Sequence, residues 1–319
     1  MQIQWFPGHM HKARVEIQNT LPKVDILIEV LDARIPYSSE NPMLAELRGN
    51  KPCLKVLTKS DLADPEMTEA WQAYFREDDS IRAKSVTSKE ISTIRRLKGS
   101  IGQMLPDKSS ITTMVVGIPN VGKSTIINIL AGRKVAKTGN EPAVTKMQQR
   151  INIGDGITLL DTPGVLWPNV ENINSGYRLG LLGSIKDTAV EYADIGFFGA
   201  RYLLEHHKQR VVDRFELEEP FESDIEMIEA IGRRRGCLGK SGVVDIDRVS
   251  RILVNEVRSG SLGRMTLETP EIMRLEKVQT AKQQEERAAK KAEKDAKRKK
   301  RFKAKQRAKE KAKKYGRRF

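Results

Sequence analysis

Residues 113–130 read TMVVGIPNVGKSTIINIL: an apolar β-forming run expected as a strand over Thr113 to Ile118, eight residues from Gly117 of the form G-x-x-x-x-G-K-[ST], and a helix-forming run directly behind. No other feature constrains the chain as much. A strand that feeds a glycine loop and then a helix is half of a β-α-β unit, and such units build parallel sheets covered on both faces. The loop runs Gly117-Ile118-Pro119-Asn120-Val121-Gly122-Lys123-Ser124. Its glycines let the N–H groups of Asn120, Val121, Gly122, Lys123, Ser124 and Thr125 curl around phosphate oxygens. Lys123 then reaches the β/γ oxygens, and the Ser124 hydroxyl ligates magnesium.

Further apolar runs repeat the pattern at Asp25 to Ala33 (DILIEVLDA), Cys53 to Thr58 (CLKVLT) and Ile157 to Asp161 (ITLLD). Ile81 to Val86 and Gln149 to Ile153 are weaker strand candidates. Helix-like stretches lie between them at Pro65 to Arg76, Ser88 to Met104 and Ser124 to Leu130. The sum is an α/β domain, a six-stranded and mostly parallel sheet with helices on both faces. After Pro168, Asp194 to Val211 and Val243 to Gly260 carry apolar residues at helical spacing, which predicts a small helical domain. The expected division is 1–176 for the α/β domain, 177–276 for the helical domain and 277–319 for a tail.

Charge sets the tail apart. Residues 281–319 hold 19 Lys or Arg against 5 Asp or Glu, so they carry +14 of the chain's +15. A segment this polar cannot bury a core, and it is expected as a solvated helix or a disordered arm that pairs with polyphosphate. The two cysteines, Cys53 and Cys237, complete no metal knuckle and suggest a reducing compartment. No apolar run is long enough for a membrane span, and the N-terminus lacks a leader-like apolar stretch, so a cytoplasmic protein with no membrane partner is expected.

Asp161-Thr162-Pro163-Gly164 ends the ITLLD run about forty residues after the phosphate loop. An acid at a strand end holds magnesium through water, and Gly164 can offer its N–H to a γ-phosphate. Thr145, in the polar segment between the two motifs, is the candidate for a second magnesium hydroxyl, with Thr138 as competitor. Phosphate loops serve ATP and GTP alike, so the base must be read elsewhere. Thr58-Lys59-Ser60-Asp61 resembles the guanine-recognition sequence Asn-Lys-x-Asp. Asp61 would accept hydrogen bonds from guanine N1–H and the N2 amino group, which adenine does not offer. Lys59 would lay its stem along the base, and Thr58 replaces the usual Asn. Ser85-Val86 could give a backbone N–H to the guanine carbonyl.

The order of these motifs is permuted: the base motif precedes the phosphate loop. With that order, Trp5-Phe6-Pro7-Gly8-His9-Met10, Asp32-Ala33-Arg34-x-Pro36 and the segment from Arg233 to Glu268, the chain resembles the circularly permuted YlqF/RbgA GTPases. The resemblance implies a GTPase that binds the large ribosomal subunit late in assembly and contacts rRNA through its C-terminal helical domain. It implies GTP or GDP, magnesium and a monomer. Val165 occupies the place where Ras-like enzymes carry a water-positioning Gln. The family implicates the histidine matching His9 instead, although this residue can equally organise a turn. Asn120 matches an asparagine that ligates potassium in related GTPases, or it braces the loop. Arg233, Arg234, Arg235, Lys240 and Arg264 are the candidate RNA contacts. Two rival classes remain: a nucleotide-gated RNA-binding chaperone with incidental hydrolysis, and a P-loop ATPase or kinase.

Overall fold

The computed structural model describes residues 7–136, 149–167, 170–218, 220–240 and 242–315. Its α/β part runs α1 (Gly8–Thr20), β1 (Ile26–Asp32), α2 (Pro42–Arg48), β2 (Cys53–Thr58), α3 (Pro65–Phe75) and β3 (Ile81–Ser85). It continues through α4 (Ile91–Arg95), α5 (Leu97–Met104), β4 (Ile111–Val116), α6 (Lys123–Ala131), β5 (Gln149–Gly154) and β6 (Ile157–Asp161). The six strands form one sheet in the order β3-β2-β1-β4-β6-β5. All neighbours are parallel except β5, which pairs antiparallel with β6 at the edge. Both faces are covered, so β1 and β2 are buried at every position.

That burial explains why the central strands read as continuous apolar runs rather than as alternation. β3 and β5 alternate buried and exposed residues, which is why their apolar runs are weak. Two charges break the pattern inside the sheet. Glu29 of β1 and Lys55 of β2 are register partners, with Lys55 Nζ 3.3 Å from Glu29 Oε2. Glu40 also pairs with Lys55, whose ammonium lies 4.4 Å from the Phe75 ring centroid. Burial and the neighbouring Glu40 carboxylate push the Glu29 carboxyl up, while the two carboxylates hold the Lys55 ammonium charged.

Two sequence expectations are corrected. The stretch 88–104 is two helices that meet at Arg96, not one. The strand expected over 113–118 is β4 at 111–116, which leaves Gly117 and Ile118 to the loop.

Beyond the sheet come α7 (Ile173–Leu181), α8 (Tyr192–Phe215), α9 (Asp224–Arg234) and α10 (Ile246–Ser259), with α8 bent at His207. Side-chain caps start three of them: Asn172 on α7, Ser223 on α9 and Asp245 on α10. After α10 the chain straps back onto the α/β part. Met265 N–H bonds Leu62 O at 3.0 Å, and Leu267 N–H bonds Arg34 O at 2.8 Å. Trp71 Nε1 donates to Glu268 O at 3.1 Å, and the Tyr202 hydroxyl to Thr266 O at 2.9 Å. The Glu268 carboxylate is fully buried, accepts from the Ser38 N–H at 2.9 Å and lies 3.4 Å from Arg178.

By its contacts the chain forms two compact units, 1–270 and 271–319. The second is the greater part of α11 (Pro270–Tyr315), a 46-residue helix whose basic residues are exposed over 282–307. No helix among the described residues is long and apolar enough to cross a membrane.

Burial raises the Glu268 carboxyl above its ordinary 4.5, and Arg178 opposes that rise. Arg178→Leu strands a buried anion, at a cost of about 3–5 kcal/mol. A raised folded pKa contributes stability below the unfolded value and loses it as pH rises. Urea unfolding should therefore show a larger loss for Arg178→Leu at pH 8 than at about pH 5. A loss independent of pH would contradict this role of Arg178.

Candidate functional site

The carboxyl ends of β1, β2, β4 and β6 all open on one edge of the sheet, and the motif residues gather there. The loop after β4 turns sharply at Gly117, whose φ is 149°. A Cβ at Gly117 would lie 2.5 Å from Val30 O, so no side chain fits between the loop and β1. Asn120 (φ 61°) and Gly122 (φ 98°) complete the curl, and α6 begins at Lys123. The first N–H groups of α6 have no partner within the helix and form an anion-binding end. Val121 is buried in the loop, while Ser124 and Thr125 are half-buried in the first turn.

Lys123 folds back over its own loop and donates to Gly117 O at 3.0 Å and Ile118 O at 2.7 Å. Burial pulls its ammonium down to about 8, with Asp161 pulling the other way. Asp161 ends β6, and burial pushes its carboxyl up to about 6 against Lys123 and the Thr162 N–H. Its Oδ1 is buried and has no hydrogen-bond partner among the described residues. An orphaned carboxylate oxygen beside a desolvated ammonium is costly unless a hydrated cation and phosphate complete the set. The donor set of Ser124 hydroxyl, Asp161 carboxylate and phosphate oxygens is the hard oxygen environment that magnesium takes.

The base motif lies at the end of β2. The Thr58 hydroxyl sits 2.9 Å from Leu31 O and 2.6 Å from Val121 O, so it binds β2 to β1 and to the phosphate loop together. Lys59 (φ 56°) donates to Asn120 O at 3.0 Å and to Asp32 Oδ2 at 2.8 Å. Asp32 is also clasped by Arg34, and the two cations hold its carboxyl far below the ordinary value despite burial. Asp61 is half-buried, with the Thr87 hydroxyl at 2.7 Å and Lys89 Nζ at 3.0 Å. Burial raises its carboxyl, but these two partners outweigh burial and keep it low and charged. Thr87 and Lys89 carry no sequence signal, because they flank a dipeptide already weak as a motif.

The reading of Val86 needs a correction. Its N–H donates to Leu57 O at 2.8 Å, so it is used by the sheet and is not free for a guanine carbonyl. Ser85 closes β3 beside it, half-buried. Gly164 packs against the phosphate loop, where a Cβ would lie 3.0 Å from both Lys123 Nζ and Pro119 N. Val165 is 1 % exposed, and its N–H bonds Gly117 O at 3.3 Å, so its side chain faces the core rather than a water. The Asn120 side-chain amide donates to Gly183 O at 2.8 Å, a bracing contact beyond α7. His9 falls in the first turn of α1, with its side chain outside the described set, and Thr145 lies outside the described residues.

Among the basic candidates, Arg233, Arg234, Arg235, Lys240 and Arg264 are all exposed. Arg234 pairs with Glu216, Arg233 lies 3.5 Å from Glu229, and Arg235 covers the Phe215 ring at 5.1 Å. Arg258 is different: its guanidinium binds Leu181 O and Gly180 O, both at 2.8 Å, and Asp187 at 3.1 Å. It caps the end of α7 and is not a free phosphate contact. A cleft of about 720 Å³ is lined by residues that include Lys59, Asn120, Asp187 and Arg258.

The chain is similar to known proteins over most of its length. Residues 112–221 match a family model described as a 50S ribosome-binding GTPase. The chain is 42 % identical over 282 residues to ribosome biogenesis GTPase A of Bacillus cereus, covering 85 % of this chain and 95 % of the relative. It is 32 % identical over 274 residues to the Thermotoga maritima protein of that name, covering 84 % and 95 %. Among solved structures, the GDP-bound structure of T. maritima YlqF superposes with a TM-score of 0.59 at 29 % identity, covering 80 % of this chain and 99 % of that one. The GNP-bound form gives 0.57 at 29 % identity, covering 82 % and 99 %.

Two outcomes follow from the site. Burial pulls the Lys123 ammonium down to about 8, so part of the free protein's Lys123 gives up its proton as pH rises through that value. Binding Mg·GDP at pH 8 should then be accompanied by net proton uptake, read by calorimetry in two buffers of different ionisation enthalpy. Zero uptake contradicts the lowered Lys123. For the base, Asp61→Asn should weaken GDP binding by roughly 30- to 150-fold, a loss of about 2–3 kcal/mol, and improve xanthosine diphosphate binding. Unchanged preference between the two would remove Asp61 from the base contact.

Proposed function

The chain belongs to the ribosome biogenesis GTPase A family, and from that membership we propose that it binds the large ribosomal subunit late in assembly and hydrolyses GTP there. As a GTPase it converts GTP to GDP and phosphate. Thr58, Lys59, Asp61 and Ser85 take the guanine end, and Asn120, Val121, Gly122, Lys123, Ser124 and Thr125 take the phosphates. Ser124, Asp161 and Thr145 would hold magnesium, which supplies charge neutralisation between the β- and γ-phosphates. Lys123 and the N-terminus of α6 stabilise charge on the β/γ bridge as it develops, and the Gly164 N–H faces the γ-phosphate.

The observation that carries the proposal is Val165. It is buried, and its backbone N–H is tied to the phosphate loop, so no side chain at this position orients the attacking water. A site complete for binding and incomplete for water positioning has low turnover alone and gains it from a partner. His9 is the proposed water-positioning residue and Asn120 the proposed potassium contact. The proposed division of labour is 1–176 for the nucleotide, 177–276 for rRNA through Arg233, Arg234, Arg235, Lys240 and Arg264, and 277–319 for added phosphate affinity. The protein acts as a cytoplasmic monomer. Val165 also favours the second reading, a nucleotide-gated rRNA chaperone with incidental hydrolysis.

Turnover separates the two. Purified large subunits should raise the GTP turnover number by at least about tenfold, and small subunits should not. No stimulation by either subunit leaves the chaperone reading. In the same assay, deleting 281–319 should lower the slope of log affinity against log salt. An unchanged slope would take the tail out of RNA binding.

A further inference from the structure

Asn41 lies outside the nucleotide motifs in sequence, yet its side chain reaches the loop that Gly164 opens. It is 0 % exposed. Its Oδ1 accepts the Met43 N–H at 3.1 Å and caps α2. That bond settles which side of the amide is the donor. The donor side, Nδ2, bonds the Val165 carbonyl at 2.9 Å, 124 residues away in sequence. The Asn41 N–H is in turn held by Glu29 Oε1 at 3.3 Å, within the buried Glu29–Lys55–Glu40 cluster. The amide therefore projects from a point fixed to the middle of the sheet.

Val165 is held on both sides: its N–H by Gly117 O at 3.3 Å and its carbonyl by Asn41. Gly164, one residue back, lies so close to the phosphate loop that a Cβ there would meet Lys123 Nζ and Pro119 at 3.0 Å, a tight contact. The loop carrying Asn41 also faces the helical part, through Ser38 on Glu268 and Ser175 and Arg34 on the Arg258 carbonyl. We propose that Asn41 is a positioning residue for GTP: its amide holds the Val165 peptide so that the Gly164 N–H faces the γ-phosphate. The inference rests on the reading of Gly164 as the γ-phosphate contact, and it needs no ribosome to be tested.

A residue that acts only on the γ-phosphate contact changes the affinity for GTP and spares that for GDP. The full-length protein is titrated by displacing a fluorescent GDP with GDP or with the β,γ-imido analogue of GTP, in the presence of magnesium. Asn41→Ser keeps the α2 cap but is too short to reach Val165. Asn41→Asp keeps the cap and turns an acceptor toward the carbonyl. Both should lose about tenfold in affinity for the imido analogue, equal to 1.4 kcal/mol, with GDP affinity within about twofold of the parent. An equal loss of both nucleotides in both variants, or a loss of neither, overturns the proposal. Gly164→Ala is run alongside. If it loses analogue affinity while the Asn41 variants do not, Asn41 has no positioning role. If it loses none, the Gly164 reading fails and the inference fails with it.

Discussion

The Thr58 hydroxyl lies between two carbonyls, Leu31 O of β1 and Val121 O of the phosphate loop, and the rest of the site depends on that junction. It works because β2, β1 and β4 are adjacent parallel strands whose carboxyl ends share one edge. Strand neighbours, not chain order, decide what meets at such an edge, where ligands of parallel α/β sheets bind. The base motif thus precedes the phosphate loop by some sixty residues and still bonds it directly. Thr58 in place of Asn keeps the tie with a shorter group. Lys59 adds a second tie through Asn120 O, and its conformation is stabilised by the buried Asp32.

Charge is distributed so that the free site is poised rather than relaxed. Lys123 and Asp161 are both desolvated, and each is shifted toward its neutral form. Phosphate and a cation restore to them the environment in which both are charged. By contrast, Asp32 is paired twice, by Arg34 and Lys59, and these cations keep it charged without any ligand. The same contrast separates a group proposed to meet the nucleotide from a group that braces the frame.

Much of this was legible in the sequence. The buried strands announced themselves as unbroken apolar runs because both faces of the sheet are covered, and the phosphate loop and Asp161 are local motifs whose chemistry travels with their spacing. What escaped was contact made across long sequence separations. Asn41 meets Val165, Ser38 meets Glu268 and Arg34 meets Arg258, and each partner lies more than a hundred residues away. Nothing local marks such a pair. Val86 misled for a related reason: whether its N–H is free depends on the register of β3 against β2. The break at Arg96 is a single residue that itself keeps helical dihedral angles, so helical periodicity in the sequence runs straight through it.

The central claim is that permuted segments assemble one guanine-nucleotide site around Thr58. A crystal structure of the protein with magnesium and the imido analogue of GTP tests it most directly. The account predicts guanine N1–H and N2 within about 2.7–3.2 Å of the Asp61 carboxylate, with the Thr58–Val121 bond intact. A base seated out of reach of Asp61, or a phosphate loop released from Thr58, would contradict it.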